Sequence, residues 1–215
     1  MAVTTGYNEE EVIATLEKVK GCYDKVISLL IGDMQASFVS PLSDAWFSEN
    51  AQIFMTSFKE AIEKEAIKVV NCYTNVLESI NSAGVVWANA SGADFMVMDI
   101  PYPGNLKLDV SNVRITDANG NRGADKSVVE GLVEKLTILI EDISSALDST
   151  KVAVSQSGFI GGGQQESLNG SIDTIKSSLK LTINSLGSLT SIRVRETIER
   201  YGEIEIEATK AFAGE

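Results

Sequence analysis

Carboxylates, two thiols and two glycine-rich turns are the groups in this chain that bear on chemistry, because it contains no histidine. That removes the side chain most used for proton transfer near neutral pH and the commonest metal ligand. Glu203, Glu205 and Glu207 fall on the end of a helical run, where they read as solvated acids and not as a catalytic pair. The stretch GFIGGGQQ, Gly158 to Gln165, invites comparison with a phosphate loop. A phosphate loop follows a strand and ends in Gly-Lys-Ser/Thr; here a helical pattern precedes it and no lysine follows. Its glycines read as a turn that tolerates positive φ. DANGNRGAD, Asp117 to Asp125, offers oxygens at Asp117, Asn119 and Asn121, but Arg122 stands where a calcium loop needs glycine. No Glu closes a loop of about 12 residues either, so a turn is again expected. Catalytic residues, metal ligands and cofactors are therefore all expected to be absent.

The elements that would position such groups are long helices. Three prolines in 215 residues leave room for unbroken helical runs. From Glu9 to Val39 apolar residues recur at Val12, Leu16, Val19, Tyr23, Val26, Leu30, Met34 and Phe38, one stripe of a helix facing a partner. Asn8 is a candidate N-cap, followed by three glutamates where the helix dipole favours acids. Pro41 is expected to end this run at Ser40. A second helix spans Ser48 or Asn50 to about Trp87, with Ser48 able to cap it, and a short connection between the two predicts an antiparallel hairpin. A third runs from Asp125 to about Val154 and a fourth from Leu168 onward. Between the pairs, residues 92–124 form an insertion in which NLKLDV and VRIT could make a small β-hairpin.

The layout is helix, turn, helix, insertion, helix, turn, helix, an internal repeat of about 110 residues. Trp46 sits in the first turn and Phe159 in the second. Trp87 follows Trp46 by forty-one residues and Tyr201 follows Phe159 by forty-two, a helical length of about 60 Å. Each far aromatic would reach the turn of the other hairpin if the hairpins pack antiparallel. Cys22 and Cys72 lie 24 residues before and 26 after Trp46, at similar height in such a hairpin. They read either as buried free thiols or as a disulfide formed in an oxidising space.

A net charge of −12 and a pI near 4.5 repel nucleic acid and anionic lipid. No uninterrupted apolar run approaches ~18 residues, so stable membrane insertion is not expected. The N-terminus MAVTTGYNEEEV lacks the basic and apolar regions of a secretory signal.

WFS (Trp46, Phe47, Ser48) and FIG (Phe159, Ile160, Gly161) in the turns, with YGEIE (Tyr201 to Glu205) in the tail, resemble the WXG-type family of helical hairpins. Proteins of that family leave Gram-positive bacteria by the type VII (ESX) secretion system. The resemblance covers roughly 8–91 and 125–215, with Ser48 in place of Gly and Phe159 in place of Trp. WANAS, at Trp87, does not fit the tail motif. It implies an all-α fold: two antiparallel helical hairpins forming an elongated four-helix bundle, a tandem fused pair with a small irregular or β insertion. It further implies a non-enzymatic secreted protein, made in the cytoplasm and exported without a signal peptide. Trp46, Ser48, Phe159, Gly161, Tyr201 and Glu205 would be its secretion-signal residues. The implied partners are the system's membrane ATPase and another WXG-type protein or itself. The alternative is a structural or assembly protein of a phage or surface appendage, using the bundle to oligomerise.

Overall fold

A computed structural model describes residues 6–100, 102–160 and 164–213. The chain is all-α, a helical bundle with two-residue β bridges. Its helices are α1 (Glu9–Ala45), α2 (Glu49–Ser91), α3 (Lys126–Ser155) and α4 (Gln164–Ala213). The bridges join β1 (Gly6–Tyr7) to β4 (Phe159–Ile160) and β2 (Trp46–Phe47) to β3 (Gly123–Ala124), both antiparallel.

Pro41 does not stop α1. The helix is α-helical over Glu9–Ile27, π-helical over Ser28–Asp33 and Gln35–Val39, then α-helical again over Ser40–Ala45. Pro41 falls in the first turn of that last segment, where its missing N–H and fixed φ are tolerated. The π segments have a cause in the stripe. Val26, Leu30, Met34, Phe38 and Leu42 are spaced by four and all are at most 1% exposed. Four residues overshoot one α-helical turn by about 40°, so this stripe would drift about 160° around a regular helix. Wider i→i+5 turns hold it on one face. By length and mean hydropathy α1 is also the one described helix able to cross a bilayer, with 44% of the qualifying window buried. A core helix meets that test equally.

The chain divides into two compact units that cut across the sequence segments 8–91, 92–124 and 125–215. The first gathers Met1–Leu30, Lys64–Leu106 and Glu141–Lys180; the second gathers Ile31–Glu63, Lys107–Ile140 and Leu181–Glu215. In the first, Tyr23 packs on Tyr73 with ring centroids 5.2 Å apart, and the Tyr73 and Thr150 hydroxyls bond at 2.7 Å. The buried Glu65 carboxylate accepts from Lys68 Nζ at 2.6 Å and from Ser178 Oγ at 2.9 Å, which satisfies a group that would be costly if orphaned. In the second, Phe38 stacks on Phe58 at 4.9 Å and the Phe54 ring tilts against Phe58 at 6.0 Å. Gly187 of α4 is buried against Val133 and Leu136, where a β-carbon would make ordinary contact at 3.6 Å with each.

The expected hairpin between Asn105 and Thr116 does not form; these residues carry no strand. Residues 92–100 and 102–122 instead make a strap held by side chains. In the first unit the Phe95 ring lies on Gly84, and the Asn81 amide donates to Met98 O and accepts from Met98 N at 2.9 and 3.0 Å. In the second unit Lys59 donates to Leu108 O at 2.7 Å and Glu63 accepts from Leu108 N at 2.9 Å. The Gln35 amide brackets Asp109 N and O at 2.7 and 3.0 Å. Leu108 is 1% exposed and Lys107 and Asp109 point outward. Side chains on the helices thus take over the main-chain bonds a partner strand would make, which is why a strand-like alternation appears without a sheet.

Candidate functional site

In the second unit the turn between α1 and α2 is bound to the residues leading into α3. Trp46 pairs with Ala124 and Phe47 with Gly123, and the Asp125 N–H donates to Ala45 O at 2.8 Å. Asp125 then caps α3, its Oδ1 accepting from Val128 N–H at 3.1 Å and Ser127 Oγ at 2.9 Å. These bonds hold its carboxyl below the usual range. Ser48 caps α2 by accepting from Ala51 N–H at 3.0 Å and is itself buried. A residue that must cap a helix does not need to be glycine, which accounts for Ser in the WFS turn.

Trp46 is fully buried. Its ring lies 5.5 Å from that of Phe54, and Nε1–H donates to Thr197 Oγ1 at 3.2 Å. Thr197 in turn donates to Arg193 O at 2.9 Å. A Trp in a short connection thus has an apolar bed and a partner for its one donor. The expected neighbours were Tyr201 and Glu205. The residue Trp46 bonds is Thr197, one helical turn before Tyr201. Tyr201 is half-buried and Glu205 is exposed. Phe47 is half-buried, with the Arg114 guanidinium 5.5 Å from its ring centroid.

The first unit repeats the device. Gly6 pairs with Ile160 and Tyr7 with Phe159, the Asn8 N–H donates to Gly158 O at 3.0 Å, and Asn8 Oδ1 accepts from Glu11 N–H at 3.3 Å. Gly158 has φ of 74°, and a β-carbon there would sit 2.8 Å from Asn8 O. Tyr7 stacks between Phe159 (5.9 Å, 27°) and Trp87 (6.3 Å, 5°). The far aromatic of the first hairpin and the turn aromatic of the second therefore share one ring stack. Gly161 lies outside the described residues.

Sequence reasoning missed Tyr7, Thr197 and the Gly6 and Gly123 bridges. One signal for the bridges was present: GYN and GAD each put Gly-X-Asx immediately before a helix.

Cys22 and Cys72 are free thiols. Cys72 is buried, which pushes its thiol up to about 11; Cys22 is half-buried at the edge of a groove. Among the described residues no three His, Cys, Asp or Glu side chains converge as metal ligands. The Asp117 carboxylate is taken up by its own loop, accepting from Asn119 N–H, Asn121 N–H and Asn121 Nδ2 at 2.8, 2.8 and 3.0 Å.

No protein-family model, curated protein or solved structure matches the chain.

Proposed function

We propose that the protein is a non-enzymatic substrate or secretion partner of a type VII secretion system, a single-chain counterpart of a pair of WXG-type hairpins. One observation carries this reading: the turn tryptophan bonds α4 at Thr197, one turn from the Tyr201-X-X-X-Glu205 motif. The turn aromatic of one hairpin and the helix that carries the tail motif of the other thereby belong to one compact unit. Burial assigns them different parts. Trp46 fixes where α4 leaves the core, while Tyr201 and Glu205, on one helix face, are presented to a receptor. The corresponding test is an export assay in a strain carrying the secretion ATPase. Tyr201→Ala and Glu205→Ala should abolish export while leaving thermal unfolding nearly unchanged. Wild-type export by both variants rules the signal out.

A second reading, an assembly protein that oligomerises through its helices, is favoured by the end of α4. Every residue from Glu203 to Lys210 is exposed, including Ile204 at 49% and Ile206 at 58%.

A further inference from the structure

Two features of the surface are left over once the bridges and the strap are accounted for. The first is a groove in the first unit between α1 and α3, with a volume of about 520 Å³. Gly21 and Cys22 line it from α1 and Ala146, Ala153 and Val152 from α3, with Lys18 and Lys25 along its α1 rim and one acid, Asp142, on the α3 side. A β-carbon added at Gly21 meets nothing within 4 Å, so the space beside it is open. Lys18 and Lys25 are exposed and form no ion pair among the described residues, although Lys20 between them pairs with Asp24 at 3.2 Å.

The second is the overhang of α4 in the second unit. The buried stripe Ile183, Leu186, Thr190, Val194 and Thr197 continues in phase through Tyr201, Ile204 and Ala208, but its cover ends at Thr197: Tyr201 is half-buried and Ile204 and Ala208 are exposed. Glu203 and Glu207, one turn apart on the flank of this stripe, are exposed and likewise unpaired among the described residues. A helix end with no tertiary support is marginal in water. Two such ends cannot pair side by side in parallel without opposing their glutamates.

We propose that the α4 overhang of one molecule docks in the α1–α3 groove of a second copy, with Glu203 and Glu207 meeting Lys18 and Lys25. Unpaired acids beside an uncovered apolar stripe match unpaired bases beside an unfilled groove. The contact joins two different surfaces, so it propagates from molecule to molecule into a ring or filament. The net charge of −12 opposes association at low salt, and the opposition fades once screening shortens to about 8 Å near physiological ionic strength.

This inference rests on the assembly reading, and sedimentation of the full-length protein tests it separately from export. At physiological salt the weight-average mass should rise with protein concentration. Gly21→Leu, whose β-carbon enters open space, should weaken association about tenfold or more, as should the pair Lys18→Glu/Lys25→Glu and the pair Glu203→Lys/Glu207→Lys. Combining the two charge reversals in one chain should restore association to near the wild-type level, with unchanged far-UV circular dichroism throughout. A protein that stays monomeric at every concentration overturns both the docking and the assembly reading. Association that survives Gly21→Leu and both reversals overturns the docking alone.

Discussion

The turn aromatic of the second unit goes inward and that of the first stays near the surface, although the same backbone device holds both. In each, a two-residue bridge ties a turn to the lead-in of another helix, and the helix-capping Asx donates its N–H to the carbonyl just before the turn aromatic. The difference lies in what stands opposite. Trp46 faces Ala124, whose small side chain lets the indole pass into the core. Phe159 pairs with Tyr7 and the two rings stack, with Trp87 stacked on Tyr7 as well. The same bridge thus carries a buried indole in one unit and a half-buried ring stack in the other.

The largest test of that contrast is truncation of the two turn aromatics. Trp46→Ala should destabilise the protein by about 3–5 kcal/mol, the range for emptying a buried large-aromatic site. Phe159→Ala, at a half-exposed stack, should cost about 1–2 kcal/mol, little more than the value of an aromatic pair. Chemical denaturation of both variants decides: equal losses would mean that Phe159 is as much a core residue as Trp46.

Next in size is the residue before each aromatic. Gly158 and Ala45 occupy matching places, each accepting from the next helix's cap. Gly158 needs its positive φ and has Asn8 O where a β-carbon would go, so Gly158→Ala should cost about 1–3 kcal/mol. The converse, Ala45→Gly, should cost no more than ~1 kcal/mol. Comparing the melting temperatures of the two variants checks whether the equivalence is one of place only.

The strap gives a third contrast. Gln35 lies eleven residues before Trp46 and Glu63 seventeen after it; Asp148 and Lys176 stand at the same distances from Phe159. In the strapped hairpin Gln35 and Glu63 both bind strap main chain. In the other, Lys176 and Asp148 meet directly at 2.7 Å. Glu63→Ala should cost about 1–3 kcal/mol by orphaning the N–H of buried Leu108. Lys176→Ala should cost no more than ~1 kcal/mol, as for an exposed ion pair. Amide exchange at Leu108 separates the two: it should quicken in the first variant and not in the second.

The four helices were legible because their stripes are: Val12 to Phe38 and Phe54 to Ile80 repeat at spacings of three and four that only a helix turns to one side. The forty-one-residue interval put Trp87 near the second turn, and the link is made through Tyr7, on which both Trp87 and Phe159 stack. The interval misjudged the other end by one turn, because Trp46 is placed by its donor's need for Thr197 and not by ring-to-ring contact. The strap was misread as a hairpin because Leu106, Leu108 and Val110 alternate as a strand does. Periodicity reports which face is buried, not what supplies the hydrogen bonds, and here Gln35, Lys59 and Glu63 lie far away in sequence. Pro41 misled because the bias against helical φ/ψ before a proline is a preference, and the continuous helix holds Ser40 there at φ −65° and ψ −48°.

The smallest expected effect distinguishes the two caps. Asn8 and Asp125 do the same work, each accepting from the N–H three residues on, but only Asp125 titrates. Its folded-state pKa lies below the ordinary 3.8, chiefly through the Val128 N–H and then Ser127. A depressed carboxyl contributes stability above its unfolded pKa and loses that stability as the pH falls through the folded value. The start of α3 should therefore loosen below about pH 3.8, while the start of α1, capped by a neutral amide, keeps its cap at the same pH. Amide exchange at Val128 compared with Glu11 across that interval reads the difference directly. Asp125→Asn should make the α3 start as insensitive to acid as the α1 start, and Asn8→Asp should transfer the sensitivity to α1. If the acid response of Val128 is unchanged in Asp125→Asn, it comes from other carboxyls, and the two bridges differ in their aromatics alone.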